Sequence, residues 1–98
     1  MLSLYQQKTI SISLMRKNRL RLDFCNIIMT LNLCQFKIFH NYLQGISKNL
    51  DSSTSKVELM LVREELKVII SLSEFLQLCN GVQLVMVGKF GFRLSIPN

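Results

Sequence analysis

The spacing of apolar residues changes period partway along the chain, and that change restricts the fold more than any other feature. Ile10, Ile12 and Leu14 alternate with Ser11 and Ser13, and Leu20, Leu22 and Phe24 alternate with Arg21 and Asp23. A period of two puts every second side chain on one face of a strand. Phe36, Phe39, Leu43, Ile46 and Leu50 instead step by 3, 4, 3 and 4, which draws one apolar stripe along a helix. A chain carrying both periods in separate stretches is expected to fold as α+β. Its 98 residues suffice for a single small domain.

The pattern divides the chain further. Residues 9–24 read as an N-terminal hairpin, with Arg16-Lys17-Asn18-Arg19 as its turn and Asn18 suited to a left-handed backbone. Residues 25–50 read as the longer helix. Ile27, Met29, Leu31 and Leu33 alternate, so a strand over 25–34 is the alternative to the first turns of that helix. Asp51-Ser52-Ser53-Thr54-Ser55 is a run of short polar side chains that compete for backbone hydrogen bonds. It marks a loop and an internal boundary. Residues 56–72 fit two strands, 57–62 and 66–72, joined at Arg63-Glu64-Glu65. One helix through Leu59, Val62, Leu66 and Ile69 is the competing reading. Ser71 and Glu74 have the spacing of a capping box, and Asn80-Gly81 reads as the end of the short helix they open. Alternation at Val82, Leu84 and Met86, then at Phe90, Phe92, Leu94 and Ile96, predicts C-terminal antiparallel strands. About six strands and two helices are expected in all.

Charge is distributed as unevenly as hydropathy. Residues 1–50 hold seven bases (Lys8, Arg16, Lys17, Arg19, Arg21, Lys37 and Lys48) and one acid, Asp23, a net +6. Residues 51–98 hold five bases and five acids. Four of the bases, Arg16, Lys17, Arg19 and Arg21, fall within six residues. Such a run neutralises phosphates without reading sequence. It points to a nucleic acid, another polyanion or an anionic surface as partner.

Residues 88–94, Gly88-Lys89-Phe90-Gly91-Phe92-Arg93-Leu94, add alternate aromatics and two bases. The segment is similar to the aromatic strand of RNA-recognition-motif domains, a resemblance that implies base stacking beside phosphate contacts. It departs from that motif because Lys89 follows Gly88, and the strand at 57–62 carries no aromatic. Leu94 and Ile96 continue the phenylalanine face, so the residues themselves read as a core-facing strand with Lys89 and Arg93 outward. The candidate polyanion-binding set is therefore Arg16, Lys17, Arg19, Arg21, Lys89 and Arg93.

Catalytic and metal chemistry find little support in the spacing. The one histidine, His40, follows Cys34 by six residues, which does not bring them together on a helix. It reads as a half-buried helix residue. Cys25, Cys34 and His40 are nine and six residues apart, whereas zinc ligands pair about two to five apart. Glu64 and Glu65 are adjacent and point apart. No cofactor and no catalytic step are expected.

Three dispersed cysteines suit free thiols in a reducing, intracellular compartment. The longest charge-free apolar stretch, residues 24–36, is 13 long and contains Asn26, Asn32 and Gln35, so no membrane span is expected. Residues 1–22, with five bases, no acid and three serines, have the composition of an organellar presequence. Three functional expectations follow. The first is a small basic accessory protein that binds nucleic acid or another polyanion through residues 16–21. The second is a protein-interaction or structural subunit, or a homo-oligomer, using the Phe36/Phe39/Leu43/Ile46 stripe or a strand edge at residues 90–96. The third is an organelle-targeted protein with a cleaved N-terminal segment.

Overall fold

Residues 2–31 form a four-stranded antiparallel meander, β1 (Leu2–Gln6), β2 (Ile10–Leu14), β3 (Leu20–Phe24) and β4 (Ile27–Leu31), in that spatial order. The coordinates are a computed structural model and describe residues 2–61 and 66–90. Helix α1 (Leu33–Lys48) follows, then a two-stranded antiparallel sheet, β5 (Lys56–Leu61) and β6 (Leu66–Ser71), and helix α2 (Leu72–Phe90). The result is a small single domain of the α+β class.

The expected hairpin is present, with Ile12 opposite Leu22 and Leu14 opposite Leu20. Its alternation places Ile10, Ile12, Leu20, Leu22 and Phe24 in the core. The strand pair of residues 56–72 is present too. Val57, Leu59 and Leu61 are buried while Glu58 and Met60 face out. The capping box forms: the Ser71 N–H donates to Glu74 Oε1 at 2.9 Å, and the Glu74 N–H to Ser71 Oγ at 3.1 Å.

Two expectations are corrected. Residues 27–31 are strand β4, and the helix begins only at Leu33. A two-residue turn makes this possible: Cys25 and Asn26 both have positive φ, 51° and 65°, the backbone of a tight hairpin whose twist matches its strands. Asn32 then caps α1, accepting from the Gln35 N–H at 2.8 Å while Gln35 Oε1 accepts from the Asn32 N–H at 2.9 Å. The second correction concerns residues 82–87, which are helical. The helix opened at Ser71 is not short, and it runs through Asn80-Gly81 to Phe90. Its buried residues, Phe75, Leu78, Val82, Val85 and Met86, follow helical spacing. The expected strand at 90–96 lies, beyond Phe90, outside the described residues.

Gly81 is accordingly not a helix terminus. A Cβ there would come within 2.7 Å of Tyr5 Cε2, so glycine lets α2 lie directly on β1. Helix α2 touches β1, β2, β5, β6 and α1. Both halves of the chain thus contribute to one core.

Candidate polyanion interface

The basic run occupies the β2–β3 connection. Arg16–Arg19 form a tight turn in which the Arg19 N–H donates to the Arg16 carbonyl at 3.4 Å, and the Met15 N–H donates to the Arg19 carbonyl at 2.7 Å. Lys17 and Asn18 have φ of 60° and 57°. Asn18 is suited to that backbone. Lys17 is not, because a side chain with a Cβ pays about 1–2 kcal/mol in the left-handed region. Arg16, Lys17 and Arg19 are exposed and, among the described residues, form no ion pair. With Met15 they line a shallow hollow of about 440 Å³.

The other candidates are placed differently. Arg21 is one pleat further down β3 and reaches Asp23 Oδ2 at 3.8 Å, a half-exposed pair worth at most about 1 kcal/mol. Lys89 falls in the last turn of α2. Arg93 lies outside the described residues.

Strand register fixes what surrounds the turn. Leu2 pairs with Leu14, Leu14 with Leu20, and Leu20 with Leu31, so these four form the last row of the sheet before the turn. Helix α1 starts at this same end, straight after β4. Helix α2 is directed towards it. Near its start Glu74 accepts from the Cys25 thiol at 3.5 Å and Gln77 from the Thr9 hydroxyl at 2.6 Å, both at the opposite end of the sheet. Further along, Asn80 Nδ2 donates to Tyr5 Oη at 3.4 Å.

The acids Asp23, Asp51 and Glu74 gather at that opposite end. The loop containing Asp51 is tied there by the Leu72 N–H donating to the Ser55 carbonyl at 3.0 Å. A polar cleft of about 400 Å³ opens there, with Lys8, Asp23, Cys25 and Glu74 in its wall. The molecule is electrically polarised, basic at the turn and mixed at the other end.

Sequence reasoning missed a second polar cluster. His40 is only 4% exposed, more buried than the expected half-buried helix residue. Its Nε2 lies 2.7 Å from Gln83 Oε1, so with that oxygen as acceptor the proton sits on Nε2. Gln44 Nε2 donates to the same oxygen at 3.0 Å. The three side chains join antiparallel α1 and α2 beside a cavity of about 230 Å³ that also includes Ser47, Cys79 and Asn80. Gln83 gave no signal, since it sits in a stretch that reads as a strand. Burial pushes the Cys79 thiol up to about 11. Burial, then the charge of Glu74 and its hydrogen bond, push the Cys25 thiol up as well. Both are held as thiols at neutral pH. Cys34 is exposed on the first turn of α1.

The expected interaction stripe is core. Phe36, Phe39 and Leu43 are buried, and Ile46 packs against them. Among the described residues no helix is long and apolar enough to cross a membrane. No family model, curated protein or solved structure matches the chain.

Proposed function

We propose that the chain is a small, non-catalytic accessory protein that binds a phosphate-bearing polyanion through the β2–β3 turn. The observation that carries this reading is the segregation of charge. Arg16, Lys17 and Arg19 project together from one end of the sheet and form no ion pair among the described residues, while at the other end Asp23, Asp51 and Glu74 offset bases such as Lys8. A basic face that served solubility alone would gain nothing from such concentration, because clustered like charges repel. Recognition rests on charge and carries no base readout.

The test is fluorescence anisotropy of the full chain with a labelled duplex oligonucleotide as polyanion probe. Three phosphate contacts predict that affinity falls about 40-fold between 50 and 200 mM salt. The triple variant Arg16→Ala, Lys17→Ala, Arg19→Ala should lose nearly all of that binding and its salt slope. Affinity that is flat with salt, or equal in the variant, refutes the reading.

A further inference from the structure

The turn end of the sheet is apolar as well as basic. Leu2 at the start of β1 is 55% exposed and Leu33 at the start of α1 is 37% exposed. Both flank the turn, Leu2 through its pairing with Leu14 and Leu33 two residues past Leu31. Met15 lies between them in the wall of the basic hollow. Leu2 and Leu33 thus stand in water at the same end of the sheet as three cations. Burial of an exposed Leu in an apolar layer gains about 1.5–3 kcal/mol.

The combination selects among polyanions. A nucleic acid uses cations for its phosphates and aromatic rings for its bases. Among the described residues the exposed apolar side chains that flank the turn are aliphatic, and a contact made to phosphates by charge alone leaves them in water. An anionic bilayer uses both groups at once: cations meet headgroup phosphates while aliphatic side chains enter the boundary between headgroups and acyl chains. At the opposite end Asp23, Asp51 and Glu74 offset the bases Lys8, Lys48 and Lys56, so an anionic membrane attracts the turn end more strongly.

We propose that the turn end of the sheet docks on an anionic lipid surface, with Arg16, Lys17 and Arg19 on lipid phosphates and Leu2, Met15 and Leu33 in the headgroup layer. This inference rests on the polyanion reading above and names its partner. No span is involved; the protein lies on the surface and leaves when the lipid charge is screened.

The test is co-sedimentation of the full chain with vesicles of phosphatidylcholine alone and with about one-third phosphatidylserine. Binding is expected on the anionic vesicles and at least tenfold weaker on the neutral ones. Each base contributes roughly fivefold near the surface, so the triple alanine variant of Arg16, Lys17 and Arg19 should bind on the order of a hundredfold more weakly. The deciding variant is Leu2→Ser with Leu33→Ser, which leaves every charge in place. It should weaken vesicle binding about tenfold, by removing two aliphatic side chains from the interface, and leave binding to the duplex probe unchanged. Leu33→Ser alone, at an exposed helix position, gives a smaller loss in the same direction if the double variant misfolds. Salt-dependent binding to the duplex without binding to anionic vesicles overturns the membrane inference and leaves the polyanion reading standing. Binding to neither overturns both, and equal vesicle binding by the leucine variants overturns the membrane inference.

Discussion

Gly81 and Gly45 both lie inside helices, yet their substitution should have opposite signs. Alanine at Gly45 meets nothing within 4 Å, so it gains helix propensity of about 0.5–1 kcal/mol. Alanine at Gly81 would gain the same propensity but place its Cβ 2.7 Å from the Tyr5 ring. Overpacking of that kind costs about 1–3 kcal/mol, and the ring cannot swing away as the tip of a flexible chain would. Gly45→Ala should therefore raise the melting temperature and Gly81→Ala should lower it, each by several degrees, at about 4–8 °C per kcal/mol. Differential scanning calorimetry of the two variants checks the signs; two shifts in the same direction would contradict the packing described. The sequence does not separate these glycines. Gly81 after Asn80 has the form of a helix terminus, and only Tyr5, far away along the chain, shows that it is a contact point instead. Cys25 hides its role in a similar way. A positive-φ turn usually carries Asn or Gly at that position, so nothing in Cys25-Asn26 announced the β3–β4 hairpin.

At the scale of elements, local signals that close within four residues were legible. The Ser71/Glu74 box is one of them, and it anchors α2. The Ser71 N–H and then the Ser71 hydroxyl, with the Cys25 thiol behind them, hold the Glu74 carboxyl below its ordinary value of 4.5. Hydrogen bonds from Ser53 and Thr54 hold Asp51 below 3.8 in the same way. A carboxyl whose value is depressed on folding contributes stability that is present above its ordinary value and is lost as pH falls through the folded one. The denaturant midpoint should therefore hold steady down to about pH 4.5 and fall below it. Ser71→Ala should cost about 1 kcal/mol at neutral pH through loss of the cap. It should also make the acid decline shallower, because one cause of the Glu74 depression is gone. Urea melts across this pH range test both, and an acid limb of unchanged steepness in the variant would count against the assignment. The strand pair over 56–72 was legible as well, since Val57, Leu59 and Leu61 alternate cleanly with charged or exposed neighbours. Residues 82–87 were not. Helix α2 is apolar on several sides, with Leu76, Leu84 and Val87 exposed in addition to its buried set, and a filled helical wheel reads as easily as a strand. Six strands stand among the described residues: β1 was not foreseen, β4 falls where a strand over 25–34 was the alternative to the helix, and residues 82–87 are helical.

The whole molecule depends on its first residues. Ile10, Ile12, Leu20 and Leu22 are each at most 3% exposed. Their burial contributes about 6–12 kcal/mol together, against a total stability of roughly 5–15 kcal/mol for a domain. Removal of residues 1–22, the stretch with presequence-like composition, should leave a chain without a cooperative thermal transition. Circular dichroism and limited proteolysis of the truncated chain test this. A folded truncated form would show that the meander is dispensable and would support the targeting reading.

The sequence by itself determined the α+β class, the hairpin at residues 9–24, the position of its basic turn and the loop at 51–55. Each is written in a local period or a local charge run, and a few neighbouring residues suffice to specify it. Tertiary structure decided the rest. Strand register carried Leu2 and Leu33 to either side of Arg16, Lys17 and Arg19, and the course of α2 placed Glu74 far from them. Among the described residues, β1, the β2–β3 turn and the start of α1 together make one end of the molecule both basic and apolar. Contacts between segments distant along the chain create that surface, and no local pattern encodes them.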